Sequence, residues 1–254
     1  MRAIYVIALN TLRENLRDKI LYNLILFAVV LIGLSVLLAD LTIMEHHRMI
    51  KDMGLAAINL VGLIISIFVG IGLVNREIER RTVYTIMARP ISRTAFILGK
   101  YCGLVLTLLI NFIVMLGIFM ATLGLYGVPI AWTLFQAVQL MFVEMLLITA
   151  MALLFSTFSS STLSAIITLA LYVIGHLIGD LKGLTQNSQA VGLKNVVSAL
   201  SYLCPNLEVL NIKGQAAMGV AVTASYGALA SLYGLSYAAA AITLACMIFQ
   251  RRDF

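Results

Sequence analysis

Residues 75–101 read NREIERRTVYTIMARPISRTAFILGKY, and this charged stretch separates two long apolar runs of the chain. Each apolar run has about the 20 residues that an α-helix needs to cross a hydrocarbon core of about 30 Å. Residues 75–100, here called the connecting segment, are therefore predicted to join two membrane-spanning helices and to offer a surface to a water-soluble partner. Its charged side chains are Arg76, Glu77, Glu79, Arg80, Arg81, Arg89, Arg93 and Lys100.

The composition excludes an ordinary soluble domain. The chain has 254 residues, of which 62% are hydrophobic and 11% are charged, and its mean hydropathy is +1.04. Soluble domains contain about 25% charged residues. Backbone groups inside lipid must bond within their own segment, so long apolar runs are helices, and the short alternating segments of a membrane β-barrel are absent. We therefore predict an all-α, polytopic integral membrane protein with a single transmembrane domain over residues 1–254.

Six apolar runs are predicted to span the membrane, at residues 20–39, 54–74, 101–123, 132–155, 163–178 and 226–249. Residues 1–19 precede them and are predicted to form an amphipathic helix at the bilayer surface. Its apolar face consists of Ile4, Ala8, Leu9, Leu12 and Leu16, whereas Asn10, Arg13 and Arg17 lie on another face. Residues 179–225 form a long predicted loop that contains a candidate amphipathic helix at 191–203.

Lysine and arginine are distributed unevenly between the two sides that six spans define. Of the 17 in the chain, four precede the first span, six lie in the connecting segment, and two are Arg251 and Arg252. The other five are Arg48, Lys51, Lys182, Lys194 and Lys213. Because cytoplasmic loops carry the excess of positive charge, both termini and the connecting segment are predicted to be cytoplasmic. Residues 179–225 are then extracytoplasmic, and the chain resides in the cell inner membrane.

The net charge of +6 does not indicate binding to nucleic acid, because the positive residues flank the spans. They fit contacts with lipid headgroups.

The connecting segment itself is predicted to be a compact helical knuckle. The helix of the second span can continue through Arg80, and residues 82–87 can form a short helix. Pro90 pushes Arg89 towards extended geometry, and Ser92 is a plausible N-cap for the next helix. Such a knuckle suits insertion into a groove on a soluble protein, although a solvated loop that only fixes the topology has the same charge pattern.

The residues of this segment resemble a known family. The run EIERRTVYTIMARPISRTAFILGK, from Glu77 to Lys100, is similar to the segment between the second and third spans of ABC-2 type permeases, the membrane subunits of ATP-binding-cassette exporters. The amphipathic N-terminal helix, the six-span layout, the hydroxyl-rich break Ser156–Ser161 and the ending FQRRD at 249–253 are similar too. Within that family, the chain most resembles permeases for multi-copper enzyme maturation, such as that of the nitrous-oxide-reductase maturation transporter.

The resemblance implies a division of labour between subunits. Two permeases, identical or different, pair, and each docks on a separate ATPase subunit that binds Mg-ATP. The sequence has no G-x-x-x-x-G-K-[ST] phosphate loop, so no cofactor is expected in this chain. Ser156–Ser161 is implied as a lesser second contact. The residues implied to couple the ATPase to the spans are Glu77, Glu79, Arg80, Arg81, Thr82, Arg89, Pro90, Ser92 and Arg93.

Glu144 is the only acidic residue inside a predicted span, and ionisable residues there are costly and often functional. It is a candidate for the translocation path or for packing between helices, near Asn111. His176, near the end of the fifth span, is a further candidate and could equally be a structural hydrogen-bond donor. No metal site is predicted, although the loop residues Met44, His46, His47, Met49 and Met53 have side chains that suit copper.

No enzyme is predicted, because H-E-x-x-H, G-x-S-x-G and paired membrane carboxylates are absent from the sequence. The sequence therefore favours a permease subunit of an ATP-binding-cassette exporter. An ATP-independent secondary transporter or channel remains an alternative, as does a non-transporting membrane scaffold. The substrate is not indicated.

Overall fold

The computed structural model describes residues 2–40, 45–79, 92–186, 197–201 and 204–251. Within these ranges all long regular elements are helices and there is no β-strand, so the predicted all-α class is confirmed. The elements are α1 (Arg2–Arg17), α2 (Lys19–Asp40), α3 (His46–Glu79), α4 (Arg93–Leu125), α5 (Trp132–Ser156), α6 (Ser161–Gln186), a 3-10 helix (Leu207–Leu210), α7 (Lys213–Met218) and α8 (Ala224–Arg251).

Six of these helices are long and apolar enough to cross a membrane, as predicted. They are α2, α3, α4, α5, α6 and α8. The spans of α3 and α5 are the most buried and form the centre of the bundle, whereas most of α2 and α6 faces outward. An outward apolar face is the arrangement expected where lipid, rather than water, surrounds the protein.

Close contacts at small residues fix the directions of the central helices. Gly54 and Gly62 of α3 lie against the rings of Phe119 and Phe112 of α4, so these two helices run antiparallel. Gly70 of α3 lies against α5 near Ala152. Small residues allow helices to approach closely in a membrane, where packing rather than the hydrophobic effect drives association.

Helix α1 packs against the first turns of α4 at two glycines. A Cβ on Gly99 would lie 2.8 Å from Cβ of Ile7, and a Cβ on Gly103 would lie 2.6 Å from Cβ of Thr11. The Asn15 amide donates a 3.0 Å hydrogen bond to Oγ1 of Thr107. The buried face of α1 therefore includes two polar side chains, Thr11 and Asn15, beside Ala8.

This buried face differs from the one that the apolar pattern predicted. Leu9, Leu12 and Leu16 are only partly buried. The glycine notch on α4 selects the face with the closest shape, and the Asn15–Thr107 bond satisfies the Asn15 amide that this face brings inside.

Several helices extend beyond the predicted spans. Helix α3 begins at His46 rather than after a loop ending at residue 53, because its first turns pack beside α7 and bury Ile50. Helix α6 continues to Gln186, inside the predicted loop 179–225. The described part of that loop, residues 204–223, also packs on the bundle through Leu207, Leu210 and Ile212. Residues 197–201 of the candidate helix 191–203 are helical, and the rest of it lies outside the described residues.

We define two ends of the bundle from these contacts. The termini end is where α1, the start of α4 and the end of α8 meet, and the opposite end carries the starts of α3, α5 and α8.

The α1–α4 contact predicts a stability effect. Gly103→Ala is expected to lower the free energy of unfolding by about 1–3 kcal/mol, because the new methyl group would lie 2.8 Å from the Ala8 carbonyl oxygen. Thermal unfolding of the purified protein in detergent measures the change. Gly117→Ala is the matched control in the same helix, since nothing lies within 4 Å of its added Cβ. Equal melting temperatures for the two variants would contradict the packing.

Candidate functional site

The connecting segment joins α4 at a capped helix start. Ser92 has extended backbone geometry, with φ −67° and ψ 143°, and its hydroxyl oxygen accepts a 3.3 Å hydrogen bond from the Ala95 amide. This is the N-cap that the sequence predicted, and it satisfies one of the otherwise unpaired first amides of the helix. The cap fixes where α4 begins within the connecting segment.

The first turn of α4 is attached to the last turn of α8. The Arg93 guanidinium donates a 2.9 Å hydrogen bond from Nη1 to the carbonyl oxygen of Gln250. A cation at this position also complements the negative end of the α8 dipole. One turn further, Phe96 and Phe249 stack with ring centroids 5.7 Å apart and an angle of 16°. A displacement of residue 92 or 93 therefore acts on α8 as well as on α4.

Lys100 does not belong to the exposed charge of the connecting segment, although the sequence placed it there. It is only 2% exposed, and its ammonium group lies 3.9 Å from Oε2 of Glu14 in α1. The same ammonium lies 5.9 Å from the centre of the Phe96 ring, a distance suited to a cation–π contact. Lys100 thus connects α1 with the α4 start, which the sequence did not indicate.

The other predicted coupling residues lie either at the end of α3 or outside the residues that the structure describes. Glu77 and Glu79 lie in the last turns of α3, which continues to Glu79. Arg80, Arg81, Thr82, Arg89 and Pro90 lie outside the described residues, so their coupling role stays a prediction.

The hydroxyl-rich break between α5 and α6 also lies at the termini end. Ser156 and Thr157 are buried, and their hydroxyl groups donate to the carbonyl oxygens of Leu153 and Leu154. Phe158 is 54% exposed. Only the tip of the predicted second contact can therefore meet a partner protein, because its first two hydroxyls are used inside the helix.

A buried acid–base pair lies between α5 and α6. Glu144 is fully buried, and its Oε1 lies 3.3 Å from Nε2 of His176. Nδ1 of His176 lies 3.1 Å from the Tyr172 carbonyl oxygen, which can only accept, so Nδ1 carries a proton. Nε2 of His176 and the Glu144 carboxyl group face each other, and neither has a hydrogen-bond partner among the described residues.

Two further polar side chains extend this pair towards α3. The Asn59 amide donates a 2.9 Å hydrogen bond to the Tyr172 hydroxyl, and the Tyr172 and His176 rings are 4.5 Å apart. We call Asn59, Glu144, Tyr172 and His176 the buried polar cluster. The sequence analysis missed Asn59 and Tyr172. A polar residue inside a span was the available signal for Asn59, but nothing in the sequence brought it near residue 172.

Asn111, which the sequence placed near Glu144, is bonded elsewhere. It is 1% exposed, and its amide donates a 2.8 Å hydrogen bond to the Thr107 carbonyl oxygen one turn earlier in α4. The polar partner that the structure gives Glu144 is His176 instead. That Asn111 lies near Glu144 stays a prediction, because the hydrogen bond of the Asn111 amide is within its own helix.

Charged groups at the opposite end act on the buried polar cluster. Burial lowers the pKa of Lys213, whereas the carboxylates of Glu144 and Glu208 act in the opposite direction. Lys213 begins α7, so the segment that caps the opposite end brings a cation into the field of Glu144. Within the described ranges, no group of three His, Cys, Asp or Glu residues could hold a metal ion. His46 and His47 are in contact, with ring centroids 5.9 Å apart, and Met44 lies outside the described residues.

Comparison with protein families identifies the family of this chain. The model of the family described as "ABC-2 family transporter protein" matches residues 5–254, which is nearly the whole chain. No curated protein sequence matches the chain significantly.

The buried polar cluster predicts a stability effect. Tyr172→Phe is expected to cost about 1–3 kcal/mol, because the buried amide of Asn59 loses its acceptor while the Asn59 Oδ1 atom already has no partner. Thermal unfolding in detergent measures the loss. Tyr126→Phe is the matched control, since that side chain is 48% exposed at the opposite end. An unchanged melting temperature for Tyr172→Phe would show that the hydrogen bond does not stabilise the bundle.

Proposed function

Because the chain belongs to the ABC-2 family of transporter proteins, we propose that it is the transmembrane permease subunit of an ATP-binding-cassette exporter. A separate ATPase subunit docks on the connecting segment and drives the transport. A second permease copy, identical or different, completes the membrane part. The finer similarity to permeases for multi-copper enzyme maturation belongs to this proposal and rests on the segment 77–100 and the layout.

The observation that carries the proposal is the set of attachments around the connecting segment. From Ser92 onward it continues as α4, which bonds to α8 through Arg93 and contacts α1 at Gly99 and Gly103. Its beginning is the last turn of α3, a central helix of the bundle. A protein that moved this segment would therefore move α1, α3, α4 and α8 together, which is what coupling to an ATPase requires.

ATP chemistry is assigned to the partner subunit. The sequence has no phosphate-binding loop of its own, so Mg-ATP binds the ATPase. The chain is accordingly no enzyme in this proposal.

The orientation follows from charge. The termini end carries most of the lysine and arginine of the chain, so this end is cytoplasmic in a cell inner membrane. The ATPase then meets the connecting segment, and the tip at Phe158 forms a lesser contact beside it.

The buried polar cluster is proposed to line the translocation path. Its carboxyl group and imidazole are the polar groups that a cargo could use in an apolar bundle, and ionisable side chains inside spans commonly mark such paths. Asn111 is separate from this cluster and is assigned to packing. Outward transport is proposed from the resemblance to exporters.

A secondary transporter is the second candidate function, and one observation favours it. Oε1 of Glu144 and Nε2 of His176 lie 3.3 Å apart inside the bundle, and proton-driven transporters use Asp, Glu and His side chains in such positions. A non-transporting scaffold has no comparable support from the geometry.

Reversing two charges tests the coupling. The double variant Glu79→Lys, Arg80→Glu is expected to lose the ATPase on pull-down from mildly solubilised native membranes, because the complementary charges of the docking groove would then be opposed. Mass spectrometry identifies the co-purified proteins. The double variant Asp180→Lys, Lys182→Glu is the matched control, since it reverses a pair of charges at the opposite end and leaves the net charge unchanged.

Retention of a stoichiometric ATPase by the first double variant would contradict the assigned docking segment. Absence of any ATPase from the wild-type pull-down would favour the secondary transporter or the scaffold.

Proton flux separates the two candidate functions. Liposomes that contain the purified chain alone and a pH-sensitive dye are expected to show no protein-dependent flux under an imposed pH gradient, because the proposed permease needs its ATPase. Glu144→Gln measured in parallel is expected to behave identically. Flux through the wild type that disappears in Glu144→Gln would overturn the exporter proposal and support a proton-driven transporter.

A further inference from the structure

An open cleft lies at the opposite end of the bundle, away from the connecting segment. It has a volume of about 660 Å³ and lies between the first turns of α3 and the end of α7. Ionisable side chains dominate its lining, which consists of Glu45, His46, His47, Arg48, Lys51, Ala217 and Met218. The buried polar cluster contributes no residue to it.

Lys51 is the unusual group in this cleft. It is only 6% exposed, and within the part of the chain that the structure describes it makes no hydrogen bond or ion pair. Lysine is rarely enclosed to this degree without a partner, because even a partial loss of hydration is costly for an ammonium group. A ligand with negative charge in the cleft would offset this cost.

Arg48 can donate further hydrogen bonds to the same ligand. Its Nη1 donates to both carboxylate oxygens of Glu45, at 3.0 Å and 2.9 Å. A guanidinium group has five N–H donors in a planar fork, and among the described residues none accepts from Nη2 or Nε, which can therefore bind an anion. Glu45 neutralises one of the two cations in the lining, which leaves the cleft with a net positive charge. Asp52, the next acidic residue along α3, does not line the cleft.

The helix itself adds to this charge. His46 is the first residue of α3, so the positive end of this helix dipole lies beside Arg48 and Lys51. Helix N-termini with nearby cations bind phosphate groups in many proteins. The rim of the cleft is partly apolar, because Met218 is 58% exposed.

The position of the cleft fits the headgroup layer of the bilayer. Trp132 and Tyr126 are exposed at the same end, at the start of α5 and just after α4. Tryptophan and tyrosine concentrate at the membrane–water interfaces. A ligand in the cleft can therefore come from the lipid itself or from the aqueous phase next to it.

We propose that this cleft binds a phosphate-bearing anion, held by Lys51, by the free donors of Arg48 and by the N-terminus of α3. The source is either the headgroup of an anionic phospholipid or a small soluble phosphate ester. The site is independent of ATPase docking, so an experiment can contradict it without contradicting the proposed function.

The test uses the full-length purified chain in a neutral detergent and measures the melting temperature during titration. The probes are short-chain phosphatidylglycerol, phosphatidylcholine with the same acyl chains, and glycerol phosphate. Phosphatidylglycerol is expected to raise the melting temperature more than phosphatidylcholine, whose cationic group opposes the charge of the cleft. Stabilisation by glycerol phosphate as well would identify the soluble source, and its absence would identify the lipid.

Substitution of the buried lysine makes the test specific. Lys51→Met is expected to weaken binding of the stabilising probe by at least about tenfold, the effect of losing one charge-assisted hydrogen bond. The same variant is expected to be at least as stable as the wild type without the probe, since it removes a buried charge that has no partner. Arg48→Gln is expected to weaken binding as well.

Lys182→Gln is the matched control, because it removes one positive charge at the same end outside the cleft. It is expected to retain the wild-type response. Equal probe-dependent stabilisation of the wild type and Lys51→Met, or no stabilisation by any of the three probes, would overturn the proposal.

Discussion

Inside a hydrocarbon layer no water satisfies the backbone N–H and C=O groups, and the rest of this structure follows from that constraint. Each span is a helix that closes its own hydrogen bonds, so helices can meet only through side chains and through the notches between them. In this chain the notches are glycines. Gly54 and Gly62 receive aromatic rings from α4, and Gly99 and Gly103 receive α1.

The same constraint explains how the hydrogen-bonding groups of polar side chains are satisfied inside the bundle. Buried hydroxyls such as Thr149 and Thr168 donate to carbonyl oxygens one turn earlier in their own helices, which satisfies them without a partner helix. The Glu144 carboxyl group and Nε2 of His176 have no such local bond. An ionisable group needs a partner that can share or neutralise its charge. Their position inside the spans therefore indicates a function.

The two ends of the bundle have different chemistry. At the termini end, attachments through Arg93, Phe96 and Lys100 combine separate helices into one unit around the connecting segment. At the opposite end, residues 204–218 cap the helices and α3 begins with a cluster of cationic side chains beside a cleft. A protein that transmits motion across the membrane would need tightly joined helices at the termini end. At the opposite end it would need a capping segment that can move away from the helices.

Sequence alone determined the class of this protein, the number of spans and the N-cap at Ser92, because hydropathy, span length and capping chemistry are local properties. It also indicated Glu144 and His176 individually, since each is unusual where it stands. Tertiary structure alone decided that these two residues meet, that the Asn111 amide bonds within its own helix, and that Lys100 and Lys51 are buried. Those outcomes depend on the rotation and depth of each helix against its neighbours. In lipid, apolar periodicity does not reveal them, because both the inner and the outer faces of a span are hydrophobic.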